Sequence, residues 1–238
     1  MTKARRTPDQ ADSPHTSQKK VLLVDDHPIV RRGLVQLLNQ EADLTVCAEV
    51  GTEEEAMKAI PALKPDLAML DISLNGSSGL ELTKNIHLLY PKLPILVLSM
   101  HDETLYAERA LRAGALGYVM KQEPPDVLLH AIRMVLANKR CVSEKMTARL
   151  LAEMMQGEKP ESNLGGVERL SDRELEIFEQ IGRGLPTREI AAVLHISVKT
   201  VETHYARIKL KLDAQSGTEL MHRAMHWVHD LNGEAGKG

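Results

Sequence analysis

The sequence predicts an α/β protein: a five-stranded, doubly wound parallel sheet followed by a C-terminal all-α, four-helix helix-turn-helix domain. Three observations carry this reading. Between residues 20 and 138, five short apolar runs alternate with amphipathic stretches of helical period, the pattern of strands covered by helices on both faces. Four of those runs end in residues suited to chemistry: Asp25 and Asp26, Asp71, Ser99, and Lys121. Beyond a Gly-, Pro- and Ser-rich stretch at 157–166, only helical patterns remain.

Composition narrows the function classes. Apolar residues make up 43% and charged residues 26% of 238 residues, ordinary for a globular protein of one or two domains. A net charge of −3 and a pI near 6.4 exclude a globally basic nucleic-acid binder but are compatible with a local basic face. Only 3% of residues are aromatic, which argues against stacking platforms for single strands. Cys47 and Cys141 lie far apart and form no CxxC, so neither zinc nor a disulfide framework is expected. No apolar run is long enough to span a membrane, and Lys3, Arg5 and Arg6 precede no signal-peptide core. The expectation is a cytoplasmic protein with no membrane partner.

The elements follow in order. Residues 1–19 are rich in Pro, Ser, Thr, Gln and charge and are expected to be a disordered tail. The run 21–24 is a strand; Pro28 then suits a helix's first turn, with Ile29, Val30, Leu34, Leu37 and Leu38 as its apolar stripe. Residues 44–50 read as a second strand, and 53–63 as a short helix stopped by Pro65. The third strand is 67–70; a helix over 79–90 buries Leu80, Thr83, Ile86, Leu89 and Tyr90 and ends at Pro91. The fourth strand is 95–98, followed by a helix over 104–112 closed by Gly114; the fifth is 116–120, followed by a helix over 124–137. Right-handed crossovers put every strand end on one rim, where open α/β sheets bind their ligands.

Alone, Asp71 is as consistent with a turn residue as with chemistry, and an Asp pair before a helix often only caps it. Four strand ends in this order are not explained that way. Residues 20–138 resemble the flavodoxin-like receiver domain of two-component response regulators, through VLLVDDH, LAMLD, VLSMHD and GYVMK. The resemblance implies that Asp71 accepts a phosphoryl group from a sensor histidine kinase, with Ser99 and Lys121 completing the site. It implies Mg²⁺ held by Asp25, Asp26, Asp71 and the backbone carbonyl of Ser73, and a switch pair of Ser99 and Tyr118. Mg²⁺ takes hard oxygen ligands, so His27 and His101 are expected at the rim rather than on the metal. The Pro that receivers commonly carry after the acceptor is missing; Leu74 and Asn75 stand there, which bears on loop rigidity and phosphate lifetime. A phosphohydrolase of the haloacid-dehalogenase kind, the enzyme alternative, usually needs a second Asp where this chain has Ser73.

A helix over 143–156, with Met146, Leu150 or Leu151, and Met154 at helical spacing, precedes the linker at 157–166. Ser171 and Glu174 have capping-box spacing for the next helix, whose apolar side is Leu175, Ile177 and Ile181. Helices over 187–194 and 198–212, joined by His195, Ile196 and Ser197, make a helix-turn-helix, and 218–228 is the fourth helix. At about 100° per residue, Val201, Tyr205, Ile208 and Leu212 share the buried face of the third helix. Lys199, Glu202, Thr203, Ala206 and Leu210 lie opposite, flanked by Thr200, Arg207 and Lys211. Such a face is consistent with a merely solvated helix or with double-stranded DNA, where Arg207 and Lys211 would meet phosphates and Glu202, Thr203 and Ala206 base edges.

LSDRE, REIAAVLHIS, KTVETH and KLKL are similar to the DNA-binding domain of LuxR/NarL/FixJ-type regulators. Pro186 replaces that family's usual Ser cap, and Lys209–Leu210 inverts its commoner order. The resemblance implies a homodimer through the last helix, including Leu220 and Met225, and therefore paired half-sites. The expected organisation is a tail at 1–19, a receiver at 20–138, a helix-containing linker at 139–166, a DNA-binding domain at 167–232 and a tail at 233–238. The expected function is phosphorylation-controlled transcription regulation, without enzymatic turnover beyond self-phosphotransfer and autodephosphorylation.

Overall fold

A computed structural model describes residues 18–74, 77–101, 103–156 and 166–235 of the protein. The strands β1 (Lys19–Val24), β2 (Leu44–Val50), β3 (Leu67–Asp71), β6 (Ile95–Ser99) and β7 (Gly117–Met120) form one parallel sheet in the order β2-β1-β3-β6-β7. This is the doubly wound arrangement that the alternating pattern predicts. A two-stranded hairpin, β4 (Ser73–Leu74) and β5 (Ser77–Ser78), follows the third sheet strand and had no signal in the apolar pattern.

Alternation along the strands builds two cores. Val21, Leu23, Leu67, Met69, Leu96 and Leu98 face one side, under α1 (Pro28–Asn39) and α5 (Pro125–Leu136). Leu22, Val24, Ala68, Leu70, Ile95 and Val97 face the other, under α2 (Glu53–Leu63), α3 (Gly79–Leu89) and α4 (Glu103–Arg112). Each fully buried aliphatic side chain contributes about 1.5–3 kcal/mol relative to exposure. The apolar stripes differ from expectation at two ends. Ile29 is 87% exposed and Leu89 64% exposed, because each lies in the terminal turn of its helix, past the reach of the sheet. Pro61 lies inside α2, and the helix stops at Lys64, whose φ of 49° is left-handed, just before Pro65.

Helix α6 (Glu144–Gln156) buries Met146 and packs on α4, while Leu151 is exposed; the side chain of Met154 lies outside the described residues. So do residues 1–17 of the expected tail and 157–165 of the expected linker. The C-terminal helices are α7 (Asp172–Gly182), α8 (Thr187–Val193), α9 (Val198–Lys211) and α10 (Gly217–Ala235). Ser171 and Glu174 form the expected capping box, and Ser197 caps α9. Pro186 precedes α8 without a side-chain cap. Helix α10 continues through residues 233–235, where a tail was expected, since Glu234 and Ala235 are good helix formers. Phe178 and Trp227 meet at 5.3 Å between ring centroids and join α7 to α10.

Candidate functional site

Strand register gathers the predicted strand-end residues on one rim. Asp71 pairs with Leu98 one residue before Ser99, and Ser99 pairs with Met120 one residue before Lys121. Asp25, Asp71 and Ser99 are buried, at 1%, 3% and 0% exposure. Lys121 Nζ stands 2.6 Å from Asp71 Oδ2 and 2.7 Å from Asp25 Oδ2. The Ser73 amide donates to Asp71 Oδ1 at 3.2 Å, which fixes the hairpin over the carboxylate. Gly79 closes that hairpin by donating to Ile72 O at 2.7 Å.

The electrostatics are those of a crowded acidic pocket. Burial pushes the Asp71 carboxyl up to about 6, with Asp25 adding to the rise and Lys121 opposing it. Burial also opposes the charge on Lys121, but the Asp71 and Asp25 carboxylates hold its ammonium above the ordinary lysine value. Asp25, Asp26, His27 and Asp71 each offer one ligand atom within 4.8 Å of the others. Three carboxylates face one ammonium, so acidic groups outnumber the lysine. Asp25 Oδ2 is buried against the Lys121 ammonium, and Asp26 Oδ1 is buried against the His27 ring. An oxygen-rich pocket with that acidic excess fits a hard divalent cation. His27, which was expected at the rim, is 60% exposed in its side chain, yet its Nδ1 lies 2.7 Å from Asp26 Oδ1.

Tyr118 is 2% exposed, turned inward, and its hydroxyl donates to the carbonyl of His101 at 2.7 Å. His101 is itself buried, between this site and the C-terminal domain. Its Nδ1 is 2.8 Å from Glu179 Oε2 on α7, and its ring lies 4.5 Å from that of Tyr106. Arg109 donates to Leu170 O, Val167 O and Asp172, and Lys84 pairs with Asp172. Sequence reasoning did not single out Glu176 and Glu179, both buried against this junction. The usable signal was that α7 is apolar on one side only, while its acidic side faces a basic and aromatic strip on α4.

On α9, Val201, Ile208 and Leu212 are buried and Tyr205 is half-buried, as the helical phase requires. Lys199, Glu202, Thr203, Ala206 and Arg207 are exposed together on the opposite side. Thr200 is half-buried, and its hydroxyl lies 2.8 Å from that of Ser197. Lys211 Nζ is 2.6 Å from Glu174 Oε2, so this predicted phosphate contact also has a partner within the chain. A pocket beside this face is lined by Thr187, Glu202, Tyr205, Ala206 and Lys209.

Comparisons with known proteins follow the same division. The response regulator receiver domain model matches residues 21–133, and the model for bacterial regulatory proteins of the luxR family matches 168–224. Transcriptional activator protein ExaE of Pseudomonas putida is 36% identical over 209 residues, covering 86% of this chain and 95% of that protein. Oxygen regulatory protein NreC of Staphylococcus haemolyticus is 37% identical, covering 87% and 96%. Among solved structures, a LuxR-family two-component response regulator from Aurantimonas is 34% identical with a TM-score of 0.54, covering 58% of this chain and 99% of that one. RcsB of Salmonella enterica serovar Typhimurium, bound to the promoter rprA in the presence of the phosphomimetic BeF3−, is 27% identical with a TM-score of 0.57, covering 88% and 99%.

Proposed function

The chain belongs to the response-regulator family that joins a receiver domain to a LuxR-type DNA-binding domain, and on that premise we propose that Asp71 is the phosphoacceptor controlling it. The protein is a DNA-binding transcription regulator. The observation that carries the assignment of Asp71 is the convergence of Asp25, Asp26, Asp71 and Lys121 in one buried pocket at the strand ends.

The donor is a sensor histidine kinase. An Asp71 carboxylate oxygen attacks the phosphorus of a phosphohistidine, an O–P bond forms, and the P–N bond breaks with its electron pair leaving on the imidazole. Lys121 supplies fixed positive charge to the transferring group, and Ser99 supplies a hydroxyl donor. Asp25, Asp26, Asp71 and the Ser73 carbonyl are the residues that would hold Mg²⁺, which when bound stabilises phosphoryl charge. Self-phosphotransfer and autodephosphorylation are the only covalent chemistry assigned.

The Ser99–Tyr118 pair carries the change of state, which favours dimerisation or release of the C-terminal module. Lys199, Thr200, Glu202, Thr203, Ala206, Arg207 and Lys211 are assigned to DNA contact. Their placement together along α9 supports this, as does the promoter-bound state of the similar RcsB. A homodimer is the active form, in keeping with RcsB dimers bound to DNA in a structure with a TM-score of 0.53 at 26% identity. We assign the receiver to 20–138, the helix-containing linker to 139–166 and the DNA-binding domain to 167–232; the matched family segments fall inside these bounds. Among the described residues no helix is long and apolar enough to cross a membrane; a cytoplasmic location is our reading of the DNA-binding role.

Mass spectrometry after incubation with acetyl phosphate and Mg²⁺ tests the assignment. One added phosphoryl group, lost in Asp71→Asn together with phosphate-dependent promoter binding, is expected. An unmodified wild type, or a phosphoryl group retained in Asp71→Asn, overturns it.

A further inference from the structure

His101 is 7% exposed, and each of its polar atoms has a partner. Its amide donates to Ser99 Oγ at 3.0 Å, and its carbonyl accepts from the Tyr118 hydroxyl at 2.7 Å. Its ring nitrogens face opposite ways: Nδ1 toward Glu179 Oε2 at 2.8 Å, Nε2 toward Ser73 Oγ at 2.8 Å. Three of the four partners belong to the acceptor site, and the fourth belongs to the C-terminal domain.

Glu179 is held as firmly as the histidine it holds. The buried Tyr106 hydroxyl donates to the same Oε2 at 3.1 Å, and Arg183 donates to Oε1 at 2.6 Å. A carboxylate only accepts, so the imidazole nitrogen facing it carries the proton, and the ring's orientation against Ser73 is fixed. Ser73 in turn donates its amide to Asp71 Oδ1. A path of hydrogen bonds, joined through the covalent frame of Ser73, therefore runs from Glu179 through His101 to Asp71. In this docked arrangement Lys199, Glu202, Thr203, Ala206 and Arg207 stay exposed, so docking does not cover the face assigned to DNA. Besides the Arg109 and Lys84 contacts to Asp172, the Glu179–His101 pair brings docking to the surroundings of the acceptor.

We propose that Glu179 is a positioning residue supplied by the C-terminal domain to the acceptor site, so that docking of that domain sets how readily Asp71 takes a phosphoryl group. The inference rests on the reading of Asp71 as the acceptor. The docked state engages the Ser99 hydroxyl through the His101 amide and the Ser73 side chain through the His101 ring, and both must readjust when a phosphoryl group arrives. Docking therefore restrains loading. By linkage, occupancy of the site by a phosphoryl mimic weakens docking by the same factor.

The test compares the full-length wild type with Glu179→Ala, His101→Ala, the double variant, and Glu179→Gln, whose amide oxygen can still accept from His101 and Tyr106. The readouts are the phosphorylation rate with acetyl phosphate, in which the new O–P bond forms as acetate leaves, and the affinity for BeF3− with Mg²⁺. Glu179→Ala and His101→Ala are each expected to raise that affinity and that rate about fivefold or more, the low end of ordinary coupling between sites. The double variant should exceed neither single variant, because both remove one link, and Glu179→Gln should restore values near wild type. Unchanged rate and affinity in Glu179→Ala, or effects that add in the double variant, overturn the proposal. A wild type that takes no phosphoryl group overturns the acceptor reading itself.

Discussion

The Lys121 ammonium stands 2.6 Å from Asp71 Oδ2, and both side chains are nearly sealed from water, at 6% and 3% exposure. It is the cation that offsets the buried carboxylates of Asp71 and Asp25 before any metal arrives. Removing one partner of such a buried pair costs about 3–5 kcal/mol because the other charge is left uncompensated. Lys121→Ala is therefore expected to lose stability of that order in chelator, measured by urea unfolding, and to regain part of it when Mg²⁺ is added. Wild-type stability in chelator would contradict this electrostatic reading.

Among the described residues Asp26 differs from its neighbour in having no lysine contact. Its Oδ1 is buried and lies 2.7 Å from Nδ1 of the exposed His27 ring. Asp26→Asn removes one negative charge from a pocket with an excess of them. The metal-free variant should be at least as stable as the wild type, while Mg²⁺ affinity by calorimetry falls tenfold or more, about 1.4 kcal/mol. Equal affinities would remove Asp26 from the metal site.

The two predictions concern residues that were legible in the sequence, and the reason is geometric. A parallel strand of four or five apolar residues leaves little choice about where it ends, and right-handed crossovers put those ends on one rim. Asp25, Asp71, Ser99 and Lys121 were therefore placed by pattern alone. The β4–β5 hairpin was not, because two-residue strands carry no periodicity. Nor was the His101–Glu179 link: His101 was expected at the rim and is instead buried, the two residues are 78 apart, and nothing local to either indicates the other. Lys211 shows the same limit. Helical phase puts it beside the stripe proposed to face DNA, but its link to Glu174 spans two helices.

That link gives a pH dependence. Glu174 is 2% exposed; burial acts to raise its carboxyl, but Lys211 and the Ser171 amide and hydroxyl outweigh this and hold it below the ordinary value of 4.5. A carboxyl lowered by folding stabilises above its unfolded value, and that stabilisation is lost as pH falls through the folded one. The wild type should weaken in acid below about 4.5, and Glu174→Gln should show a shallower decline there. Glu174→Ala also deletes half of the capping box and should cost about 1–2 kcal/mol at pH 7. Thermal unfolding across pH 3–7, roughly the titration range of a carboxyl, checks both.

Arg207 and Lys211 were expected to act alike on DNA, and the structure separates them. Arg207 is exposed, so Arg207→Ala should weaken binding evenly across sequences and reduce the salt slope by about 1, with folding unchanged. Lys211→Ala should lower stability as well, since it strands the buried Glu174 carboxylate. Glu202→Gln should instead alter preference at one base position by about 1–3 kcal/mol. Binding isotherms at several salt concentrations on a promoter and on variant sites distinguish the three.

Two glycines give the sharpest contrast near the acceptor. A Cβ on Gly79 would lie 1.9 Å from Asp71 O and 2.7 Å from Ile72 Cα, backbone atoms that cannot swing aside. Gly79 opens α3 directly against the Asp71–Ile72 backbone. Gly79→Ala must push the Asp71–Ile72 backbone away, at a cost of about 1–3 kcal/mol. Because that backbone carries Asp71, the proposed acceptor, phosphorylation should fall with it. Gly33 sits within α1 with nothing within 4 Å of a built Cβ. Gly33→Ala should stabilise by about 0.4–1 kcal/mol, through a less free unfolded chain and better helix propensity. Phosphorylation by acetyl phosphate should be normal in Gly33→Ala and impaired in Gly79→Ala. If Gly79→Ala were phosphorylated at the wild-type rate, the close approach of α3 would not be what holds Asp71 in place.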